Sequence, residues 1–233
     1  MATPRSHRPA ASVGPWLALA GVLALGAAAL WQLTYGLSAW TLDQRREVRM
    51  ASHALRLPAI DVQNQHGQPL RLFGPADGAG ADAPSLSAAS AMPDVYLVDF
   101  IYTRCPTVCR ALGAEFAQLS GQRDADGMAG RIALVSLSFD PRDAVSDLLG
   151  YANTYHARAP GWQVTAAQSE DAMRGLLHDA DVIAIPDGLG GFEHNGGLHV
   201  VDARGQVLAV FTLDDFQAAY AFALAYARRS HRS

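Results

Sequence analysis

The sequence predicts a three-layer α/β sandwich around a mixed sheet, preceded by one N-terminal transmembrane helix. Three observations carry this. Residues 95–102 and 131–139 are apolar on both faces, as strands buried inside a covered sheet must be, and helix-like stripes follow each of them. Hairpin-like stretches flank this region on either side, so the sheet is mixed, and an uncharged apolar run lies near the start of the chain.

The apolar run is WLALAGVLALGAAALW, Trp16 to Trp31, without a charged or polar side chain. A helix over residues 16–35 rises about 28 Å, close to a hydrocarbon core, with Trp16, Trp31 and Tyr35 where interfacial aromatics belong. Ala27-Ala28-Ala29 could serve a signal peptidase, but the apolar run continues past it into Leu30 and Trp31, which favours an anchor. Arginines flank the span on both sides, so charge alone does not set its orientation. The expected organisation is a tail at 1–15, a transmembrane helix at 16–35, a polar stalk at 36–56 and a folded domain at 57–229. Within that domain, residues 74–93 are rich in Ala, Gly, Ser, Asp and Pro and read as a flexible insertion.

Residues 57–62 and 69–73 alternate around NQHGQ and predict an opening hairpin. The strand at 95–102 turns at Thr103-Arg104 into Cys105-Pro-Thr-Val-Cys109, where Pro106 suits a helix's first turn and Leu112, Phe116 and Leu119 continue its stripe. A polar loop is expected at 121–130, then the second buried strand, closed by Asp140-Pro141. Asp143 is placed to cap a helix with the stripe Val145, Leu148, Leu149, Ala152 and Tyr155. Thr165 and Gln168 form a capping-box pattern ahead of Met173, Leu176, Leu177 and Ala180. A short apolar piece then runs into a glycine-rich loop at 182–191. Residues 198–201 and 206–211 flank Asp202-Ala-Arg-Gly205 as a hairpin, and Asp214 or Asp215 caps a last helix. The order hairpin, β, α, β, α, α, hairpin, α fits a thioredoxin-like fold.

Composition narrows the functions. The 233 residues carry a net charge of −4 with no basic footprint, so nucleic acid is not an expected partner. All 18 basic residues are Arg, which removes lysine Schiff-base and P-loop chemistry. The two cysteines lie four apart in one segment and cannot build a disulfide framework; their purpose is local.

Four apart on a helix, Cys105 and Cys109 can converge on one metal ion or close a disulfide, and a helix N-terminus favours the thiolate needed for either. Two packing cysteines are the plain alternative. A closed zinc site wants four protein ligands, which this chain supplies poorly, whereas copper(I) is content with two thiolates and an imidazole. The pair alone does not decide between metal and redox chemistry.

TRCPTVC after a buried strand resembles the Thr-x-Cys-Pro-x-x-Cys motif of the SCO/SenC family, copper-binding proteins of cytochrome c oxidase assembly. Two later segments are similar to that family's as well: SLSFDPRD at 136–143, and EHNGGLHVVDARGQV at 193–207. The resemblance spans about 57–228 and implies a thioredoxin-like domain in which Cys105 and Cys109 bind copper, as Cu(I) or Cu(II), with His194 as third ligand. It also implies a redox disulfide between the two cysteines. It further implies a copper chaperone without a catalytic residue of its own, a bacterial inner membrane location with the soluble domain in the periplasm, and two kinds of partner. These are the copper-site subunit of cytochrome c oxidase and other copper chaperones. Arg110 stands where the family usually has Pro, Glu193 is the acid before the histidine, and DPRD is one residue shorter than the usual acidic loop.

Of the eight histidines, His7, His53, His66, His156, His178 and His231 read as solvated, and His199 as a strand residue and the lesser candidate ligand beside His194. The competing function is an extracytoplasmic thiol–disulfide oxidoreductase or redox sensor, with Cys105 as nucleophile and Cys109 as resolving thiol.

Overall fold

A computed structural model describes residues 14–37, 55–74, 93–105 and 108–230. The expected stalk and insertion lie, but for their end residues, outside the described residues, as do His7, His53 and His231. The chain divides into two units, Met1–Ser52 and His53–Ser233. In the first, helix α1 (Gly14–Leu33) has a mean hydropathy of 1.8 and no buried residue, and is long and apolar enough to cross a membrane.

The second unit opens with the expected hairpin, strands β1 (Ile60–Asn64) and β2 (Pro69–Leu72). Its turn is set by Asn64, whose Oδ1 accepts from the His66 and Gln68 amides at 3.0 Å each, and by Gly67 at φ +72°. Strand β3 (Val95–Ile101), helix α2 (Val108–Ala125) and strand β4 (Ile132–Ser138) follow. Every residue of β3 and β4 is buried, as two central parallel strands covered on both faces require. Helix α2 runs through part of the expected 121–130 loop because Arg123 is buried there, its guanidinium donating to the Gly161 carbonyl.

Two capping expectations are corrected. Helix α3 (Val145–Tyr155) begins at Ala144, and Asp147 accepts from the Ala144 amide at 2.8 Å; Asp143 is occupied elsewhere. Thr165 lies inside a strand the sequence reading lacked, β5 (Trp162–Ala167), which runs parallel to β4. Helix α4 (Glu170–Asp179) is capped by Ser169, whose hydroxyl accepts from the Ala172 amide. The fully buried Trp162 fixes β5: its indole donates to Ser136 at 3.0 Å, and its ring meets Phe116 of α2 at 5.7 Å.

The expected stretch at 182–191 supplies one strand and the turn of a small hairpin, β6 (Ala184–Pro186), whose second strand β7 (Phe192–His194) follows it. Strands β8 (Leu198–Asp202) and β9 (Val207–Phe211) form the second predicted hairpin. There Asp202 Oδ1 accepts from the Arg204 and Gln206 amides, and Gly205 at φ +85° leaves no room for a Cβ, which would stand 2.3 Å from the Leu57 carbonyl oxygen. A 3₁₀ turn, Leu213–Asp215, leads into helix α5 (Phe216–Ser230), whose buried stripe is Ala219, Tyr220, Ala223 and Ala227. The sheet order is β2-β1-β5-β4-β3-β8-β9, parallel at its centre and antiparallel on both flanks, the mixed sheet of a thioredoxin-like fold.

Candidate metal centre

The site forms where β3 ends. The Thr103 amide and hydroxyl both donate to Asp143, at 2.8 and 2.7 Å, and Ser138 donates to the same carboxylate at 2.6 Å. This is why Asp143 does not cap α3: it ties the turn before the cysteines to the end of β4. Asp140, its side chain wholly buried, accepts from Arg104 at 3.1 Å and from Arg142 Nε and Nη2 at 2.9 Å each. Burial alone would raise its pKa, but these bonds win and hold it below the usual carboxylate range.

On this braced turn Cys105 and Cys109 lie side by side. The Cys105 amide donates to the Tyr102 carbonyl at 3.1 Å, and its sulfur accepts from the Cys109 amide at 3.3 Å. Cys105 thus precedes α2, whereas Cys109 sits in its first turn, and an otherwise unpaired helix amide points at a sulfur, a donor that supports negative charge. The two are thiols with no disulfide between them. Cys109 is the more enclosed, its carbonyl accepting from Tyr151 at 3.0 Å. Burial, with the hydrogen bond to Cys105 and the charges of Cys105 and Asp99, pushes its thiol pKa far up.

Asp99, in β3 beside Ser136 of β4, is fully buried, and burial pushes its pKa up to about 7 even though the neighbouring Ser136 hydroxyl favours the charged form.

His194 ends β7, half-buried, just past the glycine-rich stretch of 182–191. Its ring stands 5.3 Å from Phe139 and 6.4 Å from Tyr102, and both of these also meet Phe192. Nδ1 accepts from the Gly196 amide at 3.1 Å, and burial lowers the ring's pKa. Tyr102 is the intermediary: its ring touches His194 and its hydroxyl interacts with Cys105. Among the described residues no three of His, Cys, Asp and Glu are close enough to share a metal ion. The fold therefore pairs the cysteines and holds His194 across one aromatic ring from them. His199, in contrast, is fully buried, its ring nitrogens 3.1 and 3.0 Å from the Gly197 and Ala180 carbonyl oxygens, and is occupied as a core residue. His66, His156 and His178 are exposed, as expected.

The donor set fits a soft metal. Two adjacent sulfurs suit copper(I), and a neutral imidazole on a separate short hairpin supplies a nitrogen once it leaves Gly196. Sequence reading did not single out Tyr102, Gly196 or Arg142. Tyr102 passed as strand, and Arg142 carries no motif of its own, yet it links Asp140 to the Gly190 carbonyl at 2.8 Å and lies over the Phe192 ring.

Comparison with known proteins decides the family. The SCO1/SenC family model matches residues 79–227. This chain belongs to the SCO1/SenC family. It is 28% identical over 130 residues to the SCO1 protein homolog of Bacillus subtilis (strain 168), covering 54% of this chain and 66% of that one, just under two thirds of the relative's length. Its fold matches that of BsSco, described as a member of the Sco family of cytochrome c oxidase assembly proteins with a disulfide switch. The TM-score is 0.59 at 19% identity, over 75% of this chain and 95% of that one. It also matches Arabidopsis thaliana ScoI with copper bound, with a TM-score of 0.57 at 14% identity, over 74% and 98% of the two chains. At these identities the likeness to the solved structures is one of fold.

Proposed function

We propose that this SCO1/SenC protein is a membrane-anchored copper chaperone, with α1 as a single-pass anchor and the folded domain in the periplasm. It carries copper as cargo on Cys105, Cys109 and His194 for the copper-site subunit of cytochrome c oxidase, and it exchanges the ion with other copper chaperones. The observation that carries this reading is the contact of Cys105 with the first-turn amide of α2, with Cys109 alongside. Copper supplies a soft acceptor for two thiolates, and oxidation of the pair to a disulfide removes both donors. Tyr102 and Phe139 keep water from one side of His194, and burial keeps its ring neutral, the form that ligates. In the source organism, replacing Cys105 and Cys109 by Ser is expected to lower the oxidase's copper content and activity under copper limitation. Normal copper content in that strain would overturn the proposal.

Thiol–disulfide exchange is the second reading, favoured by Asp99: a buried carboxyl whose pKa burial raises to about 7, and whose charge acts on Cys109, is a natural place to hold a proton during exchange. Rapid turnover of a protein disulfide without any copper effect would select it.

A further inference from the structure

A cleft of about 480 Å³ opens beside Cys105, between the start of α2 and α3. Thr103, Arg104, Cys105 and Arg110 line one side of it, and Tyr151 and Tyr155, their rings 4.7 Å apart, line the other. That volume suits a short peptide segment rather than a domain.

Arg110 has no structural explanation. It lies in the first turn of α2, where the helix dipole disfavours a cation, and that turn contains no acidic residue to offset it. It is exposed and makes no hydrogen bond or ion pair among the described residues. Arg104, on the same rim, contacts Asp140 and Asp143 while its side chain stays 47% exposed. The acid lining the cleft, Asp147, is committed to the Ala144 amide. Arg110 is thus the cation on this rim without a contacting carboxylate among the described residues, and it stands with an aromatic wall next to a thiol.

We infer that this cleft receives the sulfur-bearing segment of the partner protein, and that Arg110, with Arg104, selects a segment whose cysteine is flanked by carboxylates. This rests on the proposed function only in taking Cys105 as the group that meets the partner. Charge pairing at an exposed rim acts mainly on the rate of encounter and falls with salt.

The test uses the full-length, metal-free chain in detergent, with Cys109→Ser so that the reaction stops at Cys105. Two peptides are compared, one cysteine flanked by glutamates and one by arginines, each as its mixed disulfide with thionitrobenzoate. The Cys105 thiolate attacks the peptide sulfur, a Cys105–peptide disulfide forms, the original S–S bond breaks, and coloured thionitrobenzoate leaves with the electron pair. The glutamate peptide is expected to react about tenfold faster at low salt, with the ratio shrinking at high salt. Arg110→Glu should reverse the preference, while Arg174→Glu, exposed on α4 and outside the cleft, should leave it. Because each variant is read as a ratio of two peptides, changes in thiol reactivity cancel. Equal rates for the two peptides, or an equal loss with Arg174→Glu, would overturn the inference. Copper binding together with equal rates refutes the docking surface alone. A charge preference in a chain that binds no copper refutes the copper reading alone.

Discussion

The imidazole of His194 fills the space a Cβ on residue 196 would need: that atom would stand 2.6 Å from Nδ1, and the Gly196 amide donates to the same nitrogen at 3.1 Å. A neutral ring that accepts at Nδ1 carries its proton at Nε2, so neither nitrogen offers a lone pair until this contact opens. Ligation by His194 therefore requires the ring to leave Gly196.

In the metal-free protein, nitrogen-15 NMR is expected to show His194 as the Nε2–H tautomer. Gly196→Ala should displace the ring and remove that tautomer preference. An Nδ1–H ring in the wild type, or an unchanged tautomer in Gly196→Ala, would contradict the geometry.

Asp99 gives a pH dependence whose sign follows from burial. Its folded pKa is raised from 3.8 to about 7, so the folded state keeps a proton that the unfolded chain releases. Stability from this group is highest at acid pH, falls between about pH 4 and 7, and the loss is complete above that. Asp99→Asn should flatten the dependence and raise stability at pH 8 by about 2–4 kcal/mol. Urea unfolding at pH 5 and 8 measures this, and a parallel pH dependence in both proteins would exclude it.

Helices α2 and α3 touch at Gly113, where an added Cβ would lie 2.6 Å from the Tyr155 ring. Gly113→Ala is expected to cost about 1–3 kcal/mol, seen as a lower thermal midpoint. An unchanged midpoint would mean the helices are less closely packed.

Arg142 connects Asp140 to the β6–β7 hairpin through the Gly190 carbonyl and the face of Phe192. Arg142→Ala should speed amide exchange at Asp187, Gly191 and Asn195, which bond within or onto that hairpin, while β3 and β4 stay protected. Uniform exchange across hairpin and core would show that the arginine does not restrain it.

The central strands and both large hairpins were legible because their signals are local: two-faced apolar runs, and Asn64 or Asp202 beside a glycine. Strand β5 was not. Its polar residues look solvated but are buried by distant partners, Gln163 meeting the Asn64 side chain, and Thr165 mimicked a helix cap. Asp143 misled in the same way, since a carboxylate before a helix looks like a cap until Thr103, forty residues earlier, claims it. The cysteine pair was visible in one segment. The placement of His194 across Tyr102 was not, because β6 and β7 are three residues each and too short to carry a period.

The most direct test of copper carriage is an anaerobic titration of the reduced full-length chain in detergent with Cu(I) against a competing chelator, for wild type, Cys105→Ser and His194→Ala. The account predicts one tightly bound copper per chain, abolished by Cys105→Ser and weakened about tenfold or more by His194→Ala. No competitive binding by the wild type with both thiols intact, or binding indifferent to Cys105, would contradict it.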